Sequence, residues 1–293
     1  MIQQSLLEEL SKQINTHQDS TFSITDYESV GGGSINSSYK LSNGELSFFV
    51  KLNNSRFADM FAAEAQGLEE IVNSQTLHAP KPIAYGEHQD TTYIIMEYLP
   101  LGGGDKHSIE TLGEQLAAMH KITQKQHGWH IDNTIGSTLQ INTYCEDWCE
   151  FFGQYRLAYQ FDLAASNGYP LSQADKLLSD LNLIIDHQPS ASLLHGDLWS
   201  GNYGICEDGT PVIFDPAVYH GDRETDIAMT ELFGGFPSRF YEAYWHYFPQ
   251  EAGYSTRKTL YNLYHIVNHL NLFGGSYYSQ AERMIAALLS EVG

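Results

Sequence analysis

Three side chains between residues 193 and 217 are of the right type and spacing to do chemistry: Asp197, Asn202 and Asp215. They stand in Leu193-Leu194-His195-Gly196-Asp197-Leu198-Trp199-Ser200-Gly201-Asn202 and in Ile213-Phe214-Asp215-Pro216-Ala217. An apolar strand running into His-x-Asp-x-x-x-x-Asn, then a hairpin ending in a second aspartate, is the arrangement that phosphoryl transfer uses. One carboxylate must face the acceptor hydroxyl and take its proton, and that role falls to Asp197. A side-chain carbonyl and a second carboxylate must hold Mg2+ against nucleotide phosphates, and these are Asn202 and Asp215. A polar turn at 195–202 with a strand-end cap at Asp215 would account for a lone H-x-D. It does not account for the spacing, the flanking apolar strands and the second aspartate together. His195 is read as structural, its ring fixing the loop through backbone hydrogen bonds.

The grip on the nucleotide is expected nearer the N-terminus. Phe48-Phe49-Val50-Lys51 is an apolar strand carrying one lysine, and Glu64 lies beside the helical stripe of Phe57, Phe61, Ala65, Leu68 and Val72. An unpaired carboxylate there would be costly, and pairing it with Lys51 places the ammonium for the phosphates. Gly31, Gly32, Gly33 and Ser34 form a loop whose N–H groups can approach phosphate. Glu97, Tyr98 and Leu99 stand where an interlobe hinge would bond an adenine through its backbone. Trp199 offers a flat apolar face to a sugar ring, with loop packing as the competing role. His265 and His269 stand at i, i+4 without an H-E-x-x-H frame. They are read as packing or pocket lining, His269 on the substrate side, rather than as zinc ligands. Asp226 is expected to open or brace a helix beneath the catalytic loop rather than to do chemistry, and Asp222 and Glu224 to meet a substrate amine or to form a solvated cluster.

These residues need elements to position them. Residues 2–18 read as an amphipathic helix, followed by strands at 21–30, 38–41 and 45–52 with a hairpin turn at Asn43-Gly44. A helix at 57–72 precedes strands around 82–86 and 92–98. After Pro100, Gly102, Gly103 and Gly104 read as a flexible connector. Helices are then predicted at 112–120, 144–166, 172–187, 223–234, 241–248, 256–273 and 280–291, interrupted by a β-rich island at 192–215. The predicted class is α+β and two-lobed: a small β-rich nucleotide-binding lobe, 1–100, and a larger, mainly helical catalytic and substrate lobe, 101–293.

The chain has 293 residues, and 36 Asp+Glu against 15 Lys+Arg leave a formal charge of -21. That balance argues against nucleic acid and anionic membrane as partners, since both draw on clustered cations. A hydrophobic share of 42% is enough for a real core, so this is not an acidic disordered tail. No apolar run reaches the ~18 residues of a membrane span. The polar opening lacks a secretory signal, so a cytoplasmic location is expected. Of the three cysteines, Cys145, Cys149 and Cys206, the first two stand four apart on one face of an expected helix and are read as small buried hydrophobes rather than zinc ligands. No Lys or Arg stands between Lys176 and Arg223, so positive charge opposite a triphosphate must arrive there as Mg2+.

With these residues in hand, the sequence resembles the fructosamine kinase (ketosamine-3-kinase) family over nearly its whole length. The motifs are LLHGDLWSGN at 193–202, FDPA at 214–217, LFGGFP at 232–237, FVK ending at Lys51, IMEY at 95–98 and LGEQLAAMH at 112–120. The resemblance implies a protein-kinase-like fold, ATP and Mg2+, and phosphorylation of the 3-hydroxyl of a ketosamine, free or on a glycated protein lysine. It also implies deglycation, because the 3-phosphate is unstable. Some relatives carry a cysteine in the glycine loop that supports a redox-controlled dimer; Ser34 stands there, so no thiol switch is expected. Protein kinases carry an arginine where this chain has Gly196, and the stretch from Asp215 to Arg223 is too short for a regulated activation loop. Two other readings stay open: a kinase of choline-like or aminoglycoside-like alcohols, and a nucleotide-binding protein without catalysis.

Overall fold

Alternation along the chain builds the first sheet. In Ser47–Asn54 the side chains of Phe48, Val50 and Leu52 fall on one face at period two, and all three are buried. They share a core with Leu6, Leu10 and Ile14, which recur at helical spacing in Gln4–His17. In the computed structural model, which describes residues 2–18, 21–31 and 36–293, the first elements are helix α1 (Gln4–His17), strands β1 (Asp26–Val30), β2 (Ser37–Ser42) and β3 (Ser47–Asn54), helix α2 (Ala58–Ser74), and strands β4 (Pro82–His88) and β5 (Thr91–Glu97). The strands form one antiparallel sheet in the order β1-β2-β3-β5-β4. The turn expected at Asn43-Gly44 is present: Gly44 takes φ +93°, and Asn43 Oδ1 accepts the N–H groups of Glu45 and Leu46 at 3.0 and 2.7 Å. Helix α2 packs on β4 and β5 and buries Phe61, Leu68 and Ile71. Of the expected glycine loop, Gly31 is described; Gly32, Gly33 and Ser34 lie outside the described residues.

The connector expected to be flexible is instead pinned. Gly102 N–H donates to Ile205 O at 3.0 Å, and Glu207 N–H donates to Pro100 O at 3.0 Å. A Cβ on Gly102 would lie 2.5 Å from Glu207 Cγ, and one on Gly104 would lie 2.6 Å from Ile205 Cγ2. Glycine serves close backbone approach here rather than mobility. Ile213 N–H donates to His78 O at 3.0 Å, so the hairpin holding these contacts packs with the N-terminal sheet. One unit is therefore Met1–Gly104 with Gly204–Phe214, and the other is Asp105–Tyr203 with Asp215–Gly293.

From residue 105 onward the elements are α3 (Lys106–His120), β6 (Thr123–Gln124), β7 (Asn133–Ile135), β8 (Thr138–Gln140), α4 (Trp148–Phe152), a π-helical Gly153–Ala158, α5 (Tyr159–Ser166), α6 (Ala174–Ser179), α7 (Leu181–Ile184), β9 (Ala191–Leu194), the hairpin strands β10 (Tyr203–Ile205) and β11 (Pro211–Ile213), β12 (Tyr219–Gly221), α8 (Glu224–Thr230), α9 (Ser238–Tyr247), α10 (Tyr254–Phe273) and α11 (Tyr278–Val292). Strand β9, buried at all four residues, lies between β12 and β6 and runs into the 195–202 loop. Helix α3 begins ahead of the expected residue 112 because Asp105 caps it, accepting the N–H groups of His107 and Ser108 at 2.9 and 3.0 Å. The helix expected at 223–234 ends at Thr230, ahead of Gly234 and Gly235 with φ of +94° and +73°. The expected helix at 172–187 is two short helices, α6 and α7.

Helices α3 and α9 approach closely at Gly113, where a Cβ would sit 2.4 Å from Phe240 O and 3.1 Å from Ala243 Cβ. Gly113→Ala must push the pair apart and is expected to cost on the order of 1–3 kcal/mol in chemical denaturation. An unchanged midpoint would show that the interface can absorb the methyl group.

Candidate active site

The catalytic loop is held from beneath by one carboxylate. Asp226, on α8, accepts His195 N–H at Oδ2 (2.7 Å) and Gly196 N–H at Oδ1 (2.8 Å). His120 Nε2 lies 3.1 Å from Oδ2, and His120 Nδ1 lies 2.7 Å from Tyr244 Oη. Burial alone would raise the Asp226 pKa, but His120 and the Gly196 amide more than offset it and hold the group below its ordinary value. The sequence places Asp226 in a helix beneath the loop, as observed, but its carboxylate is taken up by the loop amides themselves rather than by opening or bracing that helix. Gly196 has φ +82°, and a Cβ on it would fall 2.1 Å from Ala217 O, so no other residue fits. The His195 ring does what the sequence suggested: Nδ1 accepts Asp197 N–H at 3.2 Å.

This frame brings Asp197, Asn202 and Asp215 together. Asn202, buried, donates Nδ2 to Asp197 O at 2.9 Å and to Asp197 Oδ2 at 3.2 Å, which turns its own carbonyl oxygen away as an acceptor. Asp215 is exposed and has φ +59°. Asp197 keeps part of its surface open, yet its pKa is pushed up to about 7, first by desolvation and then by the charge of Asp215, against the Asn202 hydrogen bond. A carboxylate and an amide oxygen are hard donors of the kind Mg2+ takes, and a divalent cation would relieve the Asp197–Asp215 conflict. The residues present therefore fit that ion.

In the other unit, Lys51 Nζ and Glu64 Oε1 lie 2.6 Å apart with side chains only 6% and 10% exposed. Of the expected hinge residues, Glu97 donates its N–H to Lys81 O at 2.9 Å, and Tyr98 carries Lys40 Nζ 4.6 Å from its ring centroid. Leu99 is the second residue beyond β5.

A family model described as fructosamine kinase matches residues 6–291. A Synechocystis sp. protein named as a probable ketoamine kinase is 45% identical over 282 residues, covering 96% of each chain. The chloroplastic protein-ribulosamine 3-kinase of Arabidopsis thaliana is 44% identical over 274 residues, covering 89% of this chain and 82% of that one. The chain belongs to the fructosamine kinase family. The crystal structure of a Haemophilus somnus 129PT protein assigned as a fructosamine-3-kinase superposes with TM-score 0.90 at 27% identity, covering 97% of this chain and 99% of that one. A thermostable mutant of the aminoglycoside phosphotransferase APH(4)-Ia, in a ternary complex with ADP and hygromycin B, superposes with TM-score 0.65 at 16% identity over 98% of each chain, which shows the fold alone. The fold is α+β and protein-kinase-like, as expected, and the family makes the chain an ATP-dependent phosphotransferase. Among the described residues no helix is long and apolar enough to cross a membrane.

In this fructosamine kinase family member the expected substrate residues share one aromatic cluster. Trp199, 37% exposed, meets Phe233 edge-on at 6.3 Å, and Phe233 lies 4.7 Å from His269 between ring centroids. Burial lowers the His269 pKa and favours the neutral ring. Phe233 escaped notice in the sequence, although the LFGGFP motif contains it.

Asp222 and Glu224 do not take the expected roles. Both are buried: Asp222 accepts from Tyr261 Oη at 2.6 Å and lies 2.8 Å from His187 Nε2, while Glu224 takes Arg257 at 2.7 and 3.0 Å. Neither is left for a substrate amine, and neither is solvated.

The raised pKa of Asp197 has a consequence for stability. The folded chain keeps this proton up to about pH 7, whereas an unfolded carboxyl releases it near 3.8. Stability tied to the group is present below that lower value and is lost as pH rises through 7. Asp197→Asn removes the charge, so in metal-free buffer at pH 8 it is expected to melt about 2–4 °C above the parent, with the gap closing toward pH 4. Thermal scans showing the same gap at both pH values would contradict this.

Proposed function

We propose that the chain transfers the γ-phosphoryl group of ATP to the 3-hydroxyl of a ketosamine, the adduct of a sugar with an amine. The observation that carries this reading is Asp197: a partly open carboxylate braced by Asn202 in the HGDLWSGN motif. With a cation bound the carboxylate would be ionised and able to accept the acceptor proton. Asn202 and Asp215 hold Mg2+, which when bound offsets the charge of the phosphates. Lys51, braced by Glu64, draws the nucleotide phosphates, as do the N–H groups of Gly31, Gly32, Gly33 and Ser34. The backbone at Glu97, Tyr98 and Leu99 receives the adenine. Trp199 and His269 face the sugar. Residues 1–100 serve mainly nucleotide binding, and residues 101–293 catalysis and acceptor binding. The acceptor is a free ketosamine or one on a glycated lysine. The charge of -21 disfavours nucleic acid as a partner.

The test is to incubate the protein and ATP with fructosyl-lysine, ribulosyl-lysine, choline and an aminoglycoside, and to locate the new phosphate by two-dimensional proton–phosphorus NMR. A phosphate on sugar carbon 3 is expected, with Asp197→Asn lowering turnover on the order of a thousandfold while nucleotide still binds. Preference for choline or the aminoglycoside, phosphate on another carbon, or full activity in Asp197→Asn would contradict the proposal.

A further inference from the structure

The chain just after Asp215 is held by buried side chains to which the reaction as described gives no part. The inference drawn from them rests on Asp215 being a metal ligand, as proposed above. A non-glycine residue in left-handed backbone costs roughly 1–2 kcal/mol and stays there only where its surroundings fix it. For Asp215, at φ +59°, part of the fixing lies two residues on. Ala217 N–H donates to His195 O at 2.8 Å, and Ala217 O accepts Gln140 Nε2 at 3.1 Å. Val218 O accepts Asn133 Nδ2 at 2.7 Å.

Gln140 and Asn133 face each other across the β7–β8 hairpin, and Gln140 Nε2 also donates to Asn133 Oδ1 at 2.8 Å. Gln140 is 1% exposed, and its Oε1 accepts Tyr264 Oη–H at 2.8 Å. The amide cannot turn without breaking three hydrogen bonds. Behind it, Asn142 Nδ2 donates to Asn133 Oδ1 at 3.0 Å, and the fully buried Arg156 donates Nη2 to Asn142 Oδ1 at 2.7 Å. The Arg156 guanidinium also lies 4.3 Å from the Tyr219 ring centroid. Residues 217–219 are thus clasped from one side by this network, while Ala217 O packs against Gly196.

We propose that Gln140 is a positioning residue for Asp215, acting through the Ala217 carbonyl. Asn133 assists at Val218. The hairpin supplies permanently the order that a regulated kinase gains when its activation segment is phosphorylated.

The experiment measures Mn2+ affinity, from loss of the free-ion EPR signal, in the complex of the full chain with a non-hydrolysable ATP analogue. Gln140→Met keeps length and volume and removes the donor. It is expected to weaken Mn2+ binding on the order of tenfold and to lower kcat with little change in the KM for ketosamine. Tyr264→Phe removes the partner on the far side of Gln140 without touching Ala217 and is expected to keep the parental affinity. If Gln140→Met keeps that affinity, or Tyr264→Phe loses as much, Gln140 is packing and the proposal fails. Asp215→Asn separates the two levels. If it weakens Mn2+ binding while Gln140→Met does not, only the positioning role falls; if it too binds normally, the ligand assignment falls and this proposal with it. Should Gln140→Met not fold, Asn133→Ser is read under the same expectations.

Discussion

Two like charges held near each other are the constraint on which the C-terminal unit is built. Burial first, and then the charge of Asp215, lift the Asp197 pKa to about 7. No Lys or Arg stands anywhere from 177 to 222 to relieve them. Groups in that situation separate unless the backbone around them is over-determined. Here it is: Asp226 ties the amides of residues 195 and 196 from below, Asn202 ties Asp197 from the side, and Ala217 is bonded at both its N–H and its carbonyl. A cation bound there, as proposed, would relieve the conflict.

Helix α8 carries that framework. Arg223 apart, the turn that opens it is lined with acids, and each is buried with its own partner from elsewhere: Asp222 with His187 and Tyr261, Glu224 with Arg257, Asp226 with His120 and the loop amides. Buried ion pairs add little net stability against well-packed apolar alternatives, but breaking one by removing a single partner is costly. What they confer is fixed orientation, since a carboxylate with all its partners directional has one place to be. The Lys51–Glu64 pair applies the same logic in the N-terminal unit, where two nearly buried charges set the lysine on its strand.

The parts of this arrangement that were readable in the sequence share one property: their chemistry forces a local pattern. Asp197, Asn202 and Asp215 stand at spacings that phosphoryl transfer dictates. Glu64 was readable because a carboxylate beside an apolar helical stripe must find a partner, and Lys51 was the suitable one. The misreadings involve partners far along the chain. Asp222 and Glu224 looked solvated or substrate-facing because Arg257, which satisfies Glu224, stands 33 residues on. Gly102 and Gly104 read as a flexible joint because glycine permits both freedom and close approach, and only the hairpin packed against them decides which. Gln140, one polar residue at the end of a three-residue strand, has no signature until the fold brings Ala217 to it.

The account turns on the buried, charge-opposed carboxyl of Asp197, and carbon-13 NMR of that group reads the combined effect of burial and the Asp215 charge directly. In metal-free protein the carboxyl is expected to titrate near pH 7, and its pKa is expected to drop into the ordinary carboxylate range when Mg2+ and a non-hydrolysable ATP analogue are added. Titration near pH 4 in the metal-free protein, or no change on adding metal and nucleotide, would contradict the account.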